Sequence, residues 1–230
     1  MLFFSIKVKA PCHTFLPLTM ISKRFVSTRA AGICGILAPI IGLGCIGLAI
    51  LLSPWFSWTE NYLSDLAGSP GDRPIYSAHG LSSLLFNCSL VLAGCLGICF
   101  GIGIKKSGMF DSSLGNIGLI FYLLDAGALI GIGIFPETTG APHTFFSVVF
   151  FILVGFCLFF LGLAQLKSFE KRFGWFTMAL LIFGLVSIPL FLTPKPLGSN
   201  AIAEIIPIIS VSLLSIVFGY KLFVMFSEDG

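Results

Sequence analysis

Charged side chains are scarce in this sequence. Lys and Arg number 13 and Asp and Glu number 10, so charged residues make up 10% of the 230 residues while apolar residues make up 57%. A soluble domain has about 25% charged residues, so this composition excludes a water-soluble globule. The net charge of +3 also excludes a nucleic-acid-binding protein, which needs a basic domain. The sequence predicts an integral membrane protein without nucleic-acid partners.

The cysteines lack the pattern of a disulfide-rich secreted domain. Six of the seven lie inside apolar runs, where no oxidising solvent reaches them. The sequence also lacks the Cys and His spacing of a zinc site and any local hydrolase motif. We therefore predict small packing residues, and neither a bound metal nor a cofactor. The seven are Cys12, Cys34, Cys45, Cys88, Cys95, Cys99 and Cys157.

Long apolar runs dominate what is present. A helix needs about 20 apolar residues to cross a bilayer, whereas barrel strands would be about 10 residues long with alternating polarity. The fold class is therefore an all-α membrane protein, a bundle of six transmembrane helices with a short external interfacial helix after the first span. The predicted spans are 31–52, 81–104, 114–135, 144–165, 174–192 and 201–220.

The bundle occupies residues 30–226, between an N-terminal leader of residues 1–29 and a tail of residues 227–230. Translation from Met1 and translation from Met20 are both compatible with the leader. Pro39, Pro189 and Pro207 lie inside spans, where we expect kinks, because neighbouring helices can satisfy the carbonyls that a proline frees.

The distribution of Lys and Arg predicts the orientation. All basic residues except Arg73 and Lys195 fall on the side of the two termini. Cytoplasmic loops carry the excess of basic residues, so we predict a plasma-membrane protein with both termini in the cytoplasm.

The first external loop is the longest. Within it, Ser57 followed by Glu60 fits a capping box, and Gly68 can end a helix in a left-handed conformation. We predict a short helix over residues 58–67 at the outer interface.

Polar side chains from several loops share the external face. Under one interpretation they cap helices and are solvated, and His143 donates to a carboxylate. Under the other they form a pocket for a cation, a metal or a lipid headgroup, in which His143 could also act as a general acid or base. The candidate site comprises Glu60, Ser64, Asp65, Asn87, Glu137, His143 and Glu204.

Asp125 is the second acid inside the spans, with Glu204. It lies about 15 Å along the helix from Phe135, near the bilayer centre, where a charge costs about 3 kcal/mol. Two interpretations stay open. Asp125 makes a structural hydrogen bond, with Asn116 or Tyr122 as candidate partners, or it forms a proton or ion site.

Short motifs resemble a known family. Residues 59–68 read T-E-N-Y-L-S-D-L-A-G and resemble the N-x-L-S-x-L-G signature of the prokaryotic family catalogued as domain of unknown function 998. The Phe-Pro-Glu element at 135–137 and His143 resemble its third and fourth spans. Glu204 matches the family's Glu-Arg pair, but Ile205 stands in place of the Arg.

The resemblance covers about residues 31–225. The chain is more distantly similar to the eukaryotic damage-regulated autophagy modulators and GPI-remodelling Golgi proteins, which implies six helices and contact with lipids. We expect a module that binds membrane lipids, through a lipid headgroup or a similar small ligand, ahead of an enzyme. The alternatives are a membrane-embedded hydrolase or transferase, and a proton- or ion-coupled transporter that depends on Asp125.

Overall fold

The computed structural model describes residues 18–68, 79–193 and 200–225, which form helices and no strand. Predictions on residues 1–17 and 227–230, and on Cys12, Arg73 and Lys195, lie outside the described residues. The α-helices are α1 Leu18–Leu51, α2 His79–Ser107, α3 Ser113–Ile134, α4 Ala141–Leu166, α5 Lys171–Leu185, α6 Ser187–Leu192 and α7 Asn200–Met225. Two short 3₁₀ helices cover Leu63–Ala67 and Glu137–Thr139.

Six stretches are long and apolar enough to cross a membrane, which confirms the predicted bundle of six membrane-spanning helices. They are Thr28–Leu51, Gly80–Ser107, Ser113–Ile134, Ala141–Leu166, Lys171–Leu192 and Asn200–Met225. Several helices continue past the apolar runs, because residues such as Lys105, Lys106 and Lys221 favour helix as strongly as apolar residues do. The chain is a multi-pass membrane protein.

The fifth span is interrupted near its proline. Helix α5 ends at Leu185 and α6 begins at Ser187, two residues before Pro189. Pro189 has no N–H to donate to the carbonyl of Leu185, so the regular hydrogen-bond ladder fails there. The Ser187 hydroxyl donates to the Gly184 carbonyl at 2.7 Å and satisfies part of the opened backbone. Pro39 and Pro207 lie inside α1 and α7, which continue through them.

The spans form a closed ring. Each helix from α1 to α5 packs against its neighbour along the chain. Helix α7 packs against both α5 and α1 and so closes the ring. In lipid, the burial of apolar side chains contributes little to the association of helices, because the lipid tails are equally apolar. Close packing of the helix backbones therefore contributes more to that association. Such an approach occurs where α1 crosses α7. A Cβ atom on Gly32 would lie 2.7 Å from the Gly219 carbonyl oxygen.

The two ends of the bundle differ in charge. We call the end that carries both 3₁₀ helices and the start of α7 the loop face, and the opposite end the terminal face. On the terminal face Lys221 pairs with Glu170 and lies 4.5 Å from the Phe173 ring centroid, and Lys105 lies 3.6 Å from Asp111. The described acids of the candidate site lie at the loop face.

Candidate functional site

The loop after α1 folds differently from the predicted helix 58–67. Only Leu63–Ala67 is helical, as a 3₁₀ helix. Residues 57–61 form a turn, in which the Ser57 amide donates to Asn61 Oδ1 at 3.0 Å. The carbonyl of Asn61 accepts from the Ala201 amide at 3.0 Å. In a continuous helix the Asn61 carbonyl would accept from an amide of the same helix. Because it accepts from α7 instead, the helix begins only at Leu63.

The predicted capping residues are also displaced. The Tyr62 amide at the start of the 3₁₀ helix donates to Asp65 Oδ2 at 3.0 Å, and the Asn61 side chain donates to the same oxygen at 2.9 Å. Asp65 therefore takes the capping role predicted for Glu60. The prediction for Gly68 is confirmed: it ends the helix with φ 121°, and its amide donates to the Asp65 carbonyl.

The 3₁₀ helix is packed into the bundle. Its side chains Leu63, Leu66 and Ala67 are buried, and it contacts both α2 and α7. Its apolar face therefore covers protein, and its polar residues Ser64 and Asp65 remain partly accessible. The short helix closes the loop face of the ring.

Glu204 joins α7 to this helix. The residue is only 9% exposed, and its Oε2 accepts from the Leu63 amide at 2.5 Å. The Ser64 amide donates to the same carboxyl group. These two amides belong to the first turn of the 3₁₀ helix, where backbone N–H groups have no partner within the helix. Glu204 thus caps a helix that lies far from it in sequence.

Glu137 brings a third carboxyl to the same place. It opens the 3₁₀ helix that follows α3, and its carboxyl accepts from the Ser64 hydroxyl and contacts the Asp65 carboxyl. Burial raises the pKa of Glu137 above its ordinary value, the Ser64 hydroxyl lowers it, and the negative charge of Asp65 raises it further. The carboxyls of Asp65, Glu137 and Glu204 also interact electrostatically with one another, and we call these three residues the acid cluster.

Asn87 fixes the other end of the 3₁₀ helix. Its side chain donates to the Ala67 carbonyl at 3.2 Å and to Ser83 Oγ at 3.2 Å. The Ser83 hydroxyl donates to the same carbonyl at 2.5 Å. Asn87 Oδ1 and Glu137 Oε2 are buried and have no hydrogen-bond partner among the described residues. The site therefore has unused acceptors and is rich in oxygen.

Two predicted members are placed elsewhere. Glu60 is exposed on the turn before the 3₁₀ helix. His143 is buried at the start of α4, and its Nδ1 lies 2.7 Å from the Phe135 carbonyl oxygen. A carbonyl can only accept, so Nδ1 carries the hydrogen. In the described part of the chain no hydrogen bond joins His143 to the acid cluster, and the ring ties the end of α3 to α4.

Asp125 lies apart from the loop face, within α3. Neither partner named from the sequence bonds to it, because each is engaged elsewhere. Tyr122 hydrogen-bonds Ser215 at 3.0 Å, and Asn116 accepts from Lys105 at 2.6 Å. Asp125 Oδ1 is buried without a hydrogen-bond partner among the described residues.

An apolar groove lies on the flank of the bundle. It has a volume of about 560 Å³ and runs between α4, α5, α6 and α7. Gly155 and Gly184 line it, and a Cβ atom on Gly155 would meet open space. Pro207 lines it too and follows Glu204 by three residues on α7. That spacing puts both residues on one helix face, about 4.5 Å apart along the axis.

The sequence reasoning missed two side chains of the site. Asn61 organises the turn and holds Asp65, while Ser83 shares the Ala67 carbonyl with Asn87. Spacing is the signal that could have identified Ser83, because it lies four residues before Asn87 on α2, whereas Asn61 lies outside any helix and has no such signal. Residues four apart are neighbours on a helix.

The acid cluster can attract a positively charged group. Three carboxyls meet there, and they have no cationic partner among the described residues. Within the same residues no group of three or more His, Cys, Asp or Glu side chains is arranged to hold a metal ion.

A comparison with protein families finds one match. The model of the family described as "Protein of unknown function (DUF998)" matches residues 36–221. No curated protein matches the chain, and no solved structure matches it.

Proposed function

Because the chain belongs to the DUF998 family, whose activity is unknown, we propose its function from the geometry of the loop face. We propose that this multi-pass membrane protein binds a lipid whose headgroup ends in an amine. The observation that carries the proposal is the acid cluster, one member of which, Glu204, lies about one helical turn from Pro207 in the lining of the apolar groove. The charged headgroup of such a lipid fits the acid cluster, and its apolar acyl chain fits the groove.

The headgroup amine binds at the acid cluster. An ammonium group donates up to three hydrogen bonds, and Glu137 Oε2 is a buried acceptor without a partner in the described part of the chain. The amine and a proton compete for the same oxygens of Glu137, so protonation of Glu137 weakens lipid binding. The raised pKa of Glu137 therefore predicts that lipid binding strengthens as the pH rises through that pKa.

The acyl chain lies in the groove. The volume of about 560 Å³ falls within the range of about 300–1,000 Å³ that is typical of ligand sites. Its lining is almost wholly apolar and aromatic, with Ser187 as a hydroxyl. Small residues on α4 and α5 leave this space open at the flank of the ring.

The proposal is tested by native mass spectrometry of the purified protein with phosphatidylethanolamine or phosphatidylglycerol of identical acyl chains. We expect preferential retention of phosphatidylethanolamine. Glu137→Gln removes one charge-assisted hydrogen bond, worth about 1.5–3 kcal/mol, so its affinity should fall at least about tenfold. Glu60→Gln, the matched change at an exposed position of the same face, should leave the affinity unchanged.

The groove is tested separately. Gly155→Leu fills it, whereas Gly127→Leu places the same side chain in open space on α3, away from the groove. We expect the first variant to lose long-chain lipid and the second to retain it. Equal retention of the two lipids by the unaltered protein would overturn the headgroup assignment. Unchanged binding by Gly155→Leu would overturn the tail assignment.

We further propose that the loop face is extracellular, that both termini are cytoplasmic and that the protein resides in the plasma membrane. The excess of basic residues at the terminal face supports this orientation. A reporter fused after Gly230 should be active only in the cytoplasm. Activity outside the cell would contradict the orientation.

A further inference from the structure

A small cavity lies inside the helix ring, independent of the proposed lipid site. Its volume is about 70 Å³, and α1, α2, α3, α4 and α7 all contribute to its wall. Polar groups in the lining come from Asp125, Tyr122, Ser212 and Ser215. A water molecule needs about 10–15 Å³ of such space and two or more polar partners, so the cavity has room for water.

Asp125 is the one acid in this lining and is 4% exposed. Its Oδ1 has no hydrogen-bond partner in the described residues. A carboxylate buried in this way needs either a counterion or a proton. Within the described segments the basic residues of the spans lie at their terminal-face ends, such as Arg29 and Lys105, so no basic side chain of the lining supplies the counterion.

The neighbouring titratable groups do not supply a positive charge. Tyr122 on the same helix and Cys157 on α4 interact electrostatically with Asp125, and neither side chain can become cationic. The lining that α1, α2 and α7 contribute has no titratable side chain in the described part of the chain. Whatever neutralises Asp125 must therefore enter from water.

The lining favours a proton over a metal ion. A metal ion gives up its hydration shell only when several oxygen ligands replace it. Here the hydroxyls of Tyr122 and Ser215 bond each other at 3.0 Å, and most of the wall is apolar. A proton needs a single oxygen, and it leaves the carboxyl neutral.

We propose that Asp125 binds one exchangeable proton, delivered by water in this cavity. Proton binding places a reversible change of charge at the centre of the bundle, where α3 faces α1 and α7. The ligand is the hydrated proton, and Asp125 is its binding residue.

The test uses dicyclohexylcarbodiimide, an apolar reagent: a protonated carboxyl adds across one of its C=N bonds, the proton goes to nitrogen, and the adduct rearranges to a stable N-acylurea. The full-length protein in liposomes is treated at a series of pH values, and the peptide that contains Asp125 is weighed by mass spectrometry. We expect an adduct on Asp125 whose yield falls about tenfold for each pH unit above its midpoint, and which sodium does not diminish. Asp111→Asn, at an exposed position before α3, should leave the adduct unchanged, and Asp125→Asn should abolish it.

Three results would overturn the proposal. Absence of an adduct at every pH would mean that the carboxyl never carries an accessible proton. A yield that does not vary with pH would mean that the proton does not exchange. Protection by sodium would mean that the site binds a metal cation instead. All three are measured on the unaltered protein, so the test does not depend on the folding of Asp125→Asn.

Discussion

Glu204→Ala should release the 3₁₀ helix Leu63–Ala67 from the bundle. The carboxyl of Glu204 accepts from the Leu63 amide at 2.5 Å and from the Ser64 amide. Alanine removes both acceptors and leaves two backbone donors that no longer have a partner. Leu63 is buried, so water reaches its amide only when the segment opens.

The magnitude follows from the number of orphaned donors. A buried donor without a partner costs about 1–3 kcal/mol. The Leu63 amide is more deeply buried than the Ser64 amide, so we count the cost of one unpaired buried donor. The free energy of local opening should fall by that amount. Since about 1.4 kcal/mol corresponds to a factor of ten, exchange at Leu63 should accelerate about 5- to 150-fold.

Hydrogen–deuterium exchange in detergent measures this effect directly. Peptides that cover residues 57–68 should exchange faster in Glu204→Ala, while peptides from the middle of α2 and α3 should not change. Glu204→Gln keeps one carbonyl oxygen as an acceptor and should show a smaller acceleration. Glu60→Gln, on the exposed turn, serves as the control.

Unchanged exchange at residues 57–68 in Glu204→Ala would refute the reasoning. It would mean that the bonds to Asp65, Asn87 and Ser83 hold the segment without the contribution of Glu204. Uniform acceleration across all helices would equally refute it, because the effect would then be global unfolding.

Three further changes affect stability, each measured by thermal or denaturant unfolding in detergent. Gly219→Ala should cost about 1–3 kcal/mol, because its Cβ would lie 2.8 Å from the Gly32 carbonyl oxygen, whereas Gly47→Ala meets no atom within 4 Å and should be neutral or stabilising. Ser112→Ala removes the N-cap of α3, whose hydroxyl accepts a backbone amide at 3.0 Å, and should cost about 1 kcal/mol. Burial raises the pKa of Glu137 above 4.5, so the protonated form favours folding. Stability should fall as the pH rises from 4.5 through that pKa, and Glu137→Gln should flatten this dependence. The argument for Gly219 would be contradicted if Gly219→Ala unfolded at the same free energy as the unaltered protein, and the same holds for Ser112→Ala. The argument for Glu137 would be contradicted if Glu137→Gln kept the pH dependence of stability.

The acids at the loop face were identified from the sequence, but their roles were only partly predicted. Asp65 follows from its position in the long first external loop, and Glu137 and Glu204 follow from their positions near span ends. Glu60 and His143 satisfy the same criterion, yet lie outside the acid cluster. The position of a residue relative to the apolar runs indicates its depth in the membrane. It does not give the direction of a side chain on a turn, which depends on contacts with other helices.

The bond between Glu204 and the Leu63 amide illustrates that limit. A backbone donor carries no signature in the amino-acid sequence, and 141 positions separate the two residues. The contact of Asn61 with Ala201 likewise became evident only once α7 lay against the loop.

The sequence by itself determined that the chain crosses a membrane six times, because the length and apolarity of a run suffice for a helix that satisfies its own backbone in lipid. It also determined which acids lie inside the spans or at their ends. Only the tertiary structure decided which of them meet. Closing the ring between α1 and α7 brings Glu204 to the 3₁₀ helix and encloses the cavity at Asp125. Such proximity depends on how the helices pack, and a run of apolar residues does not specify which neighbour each helix selects.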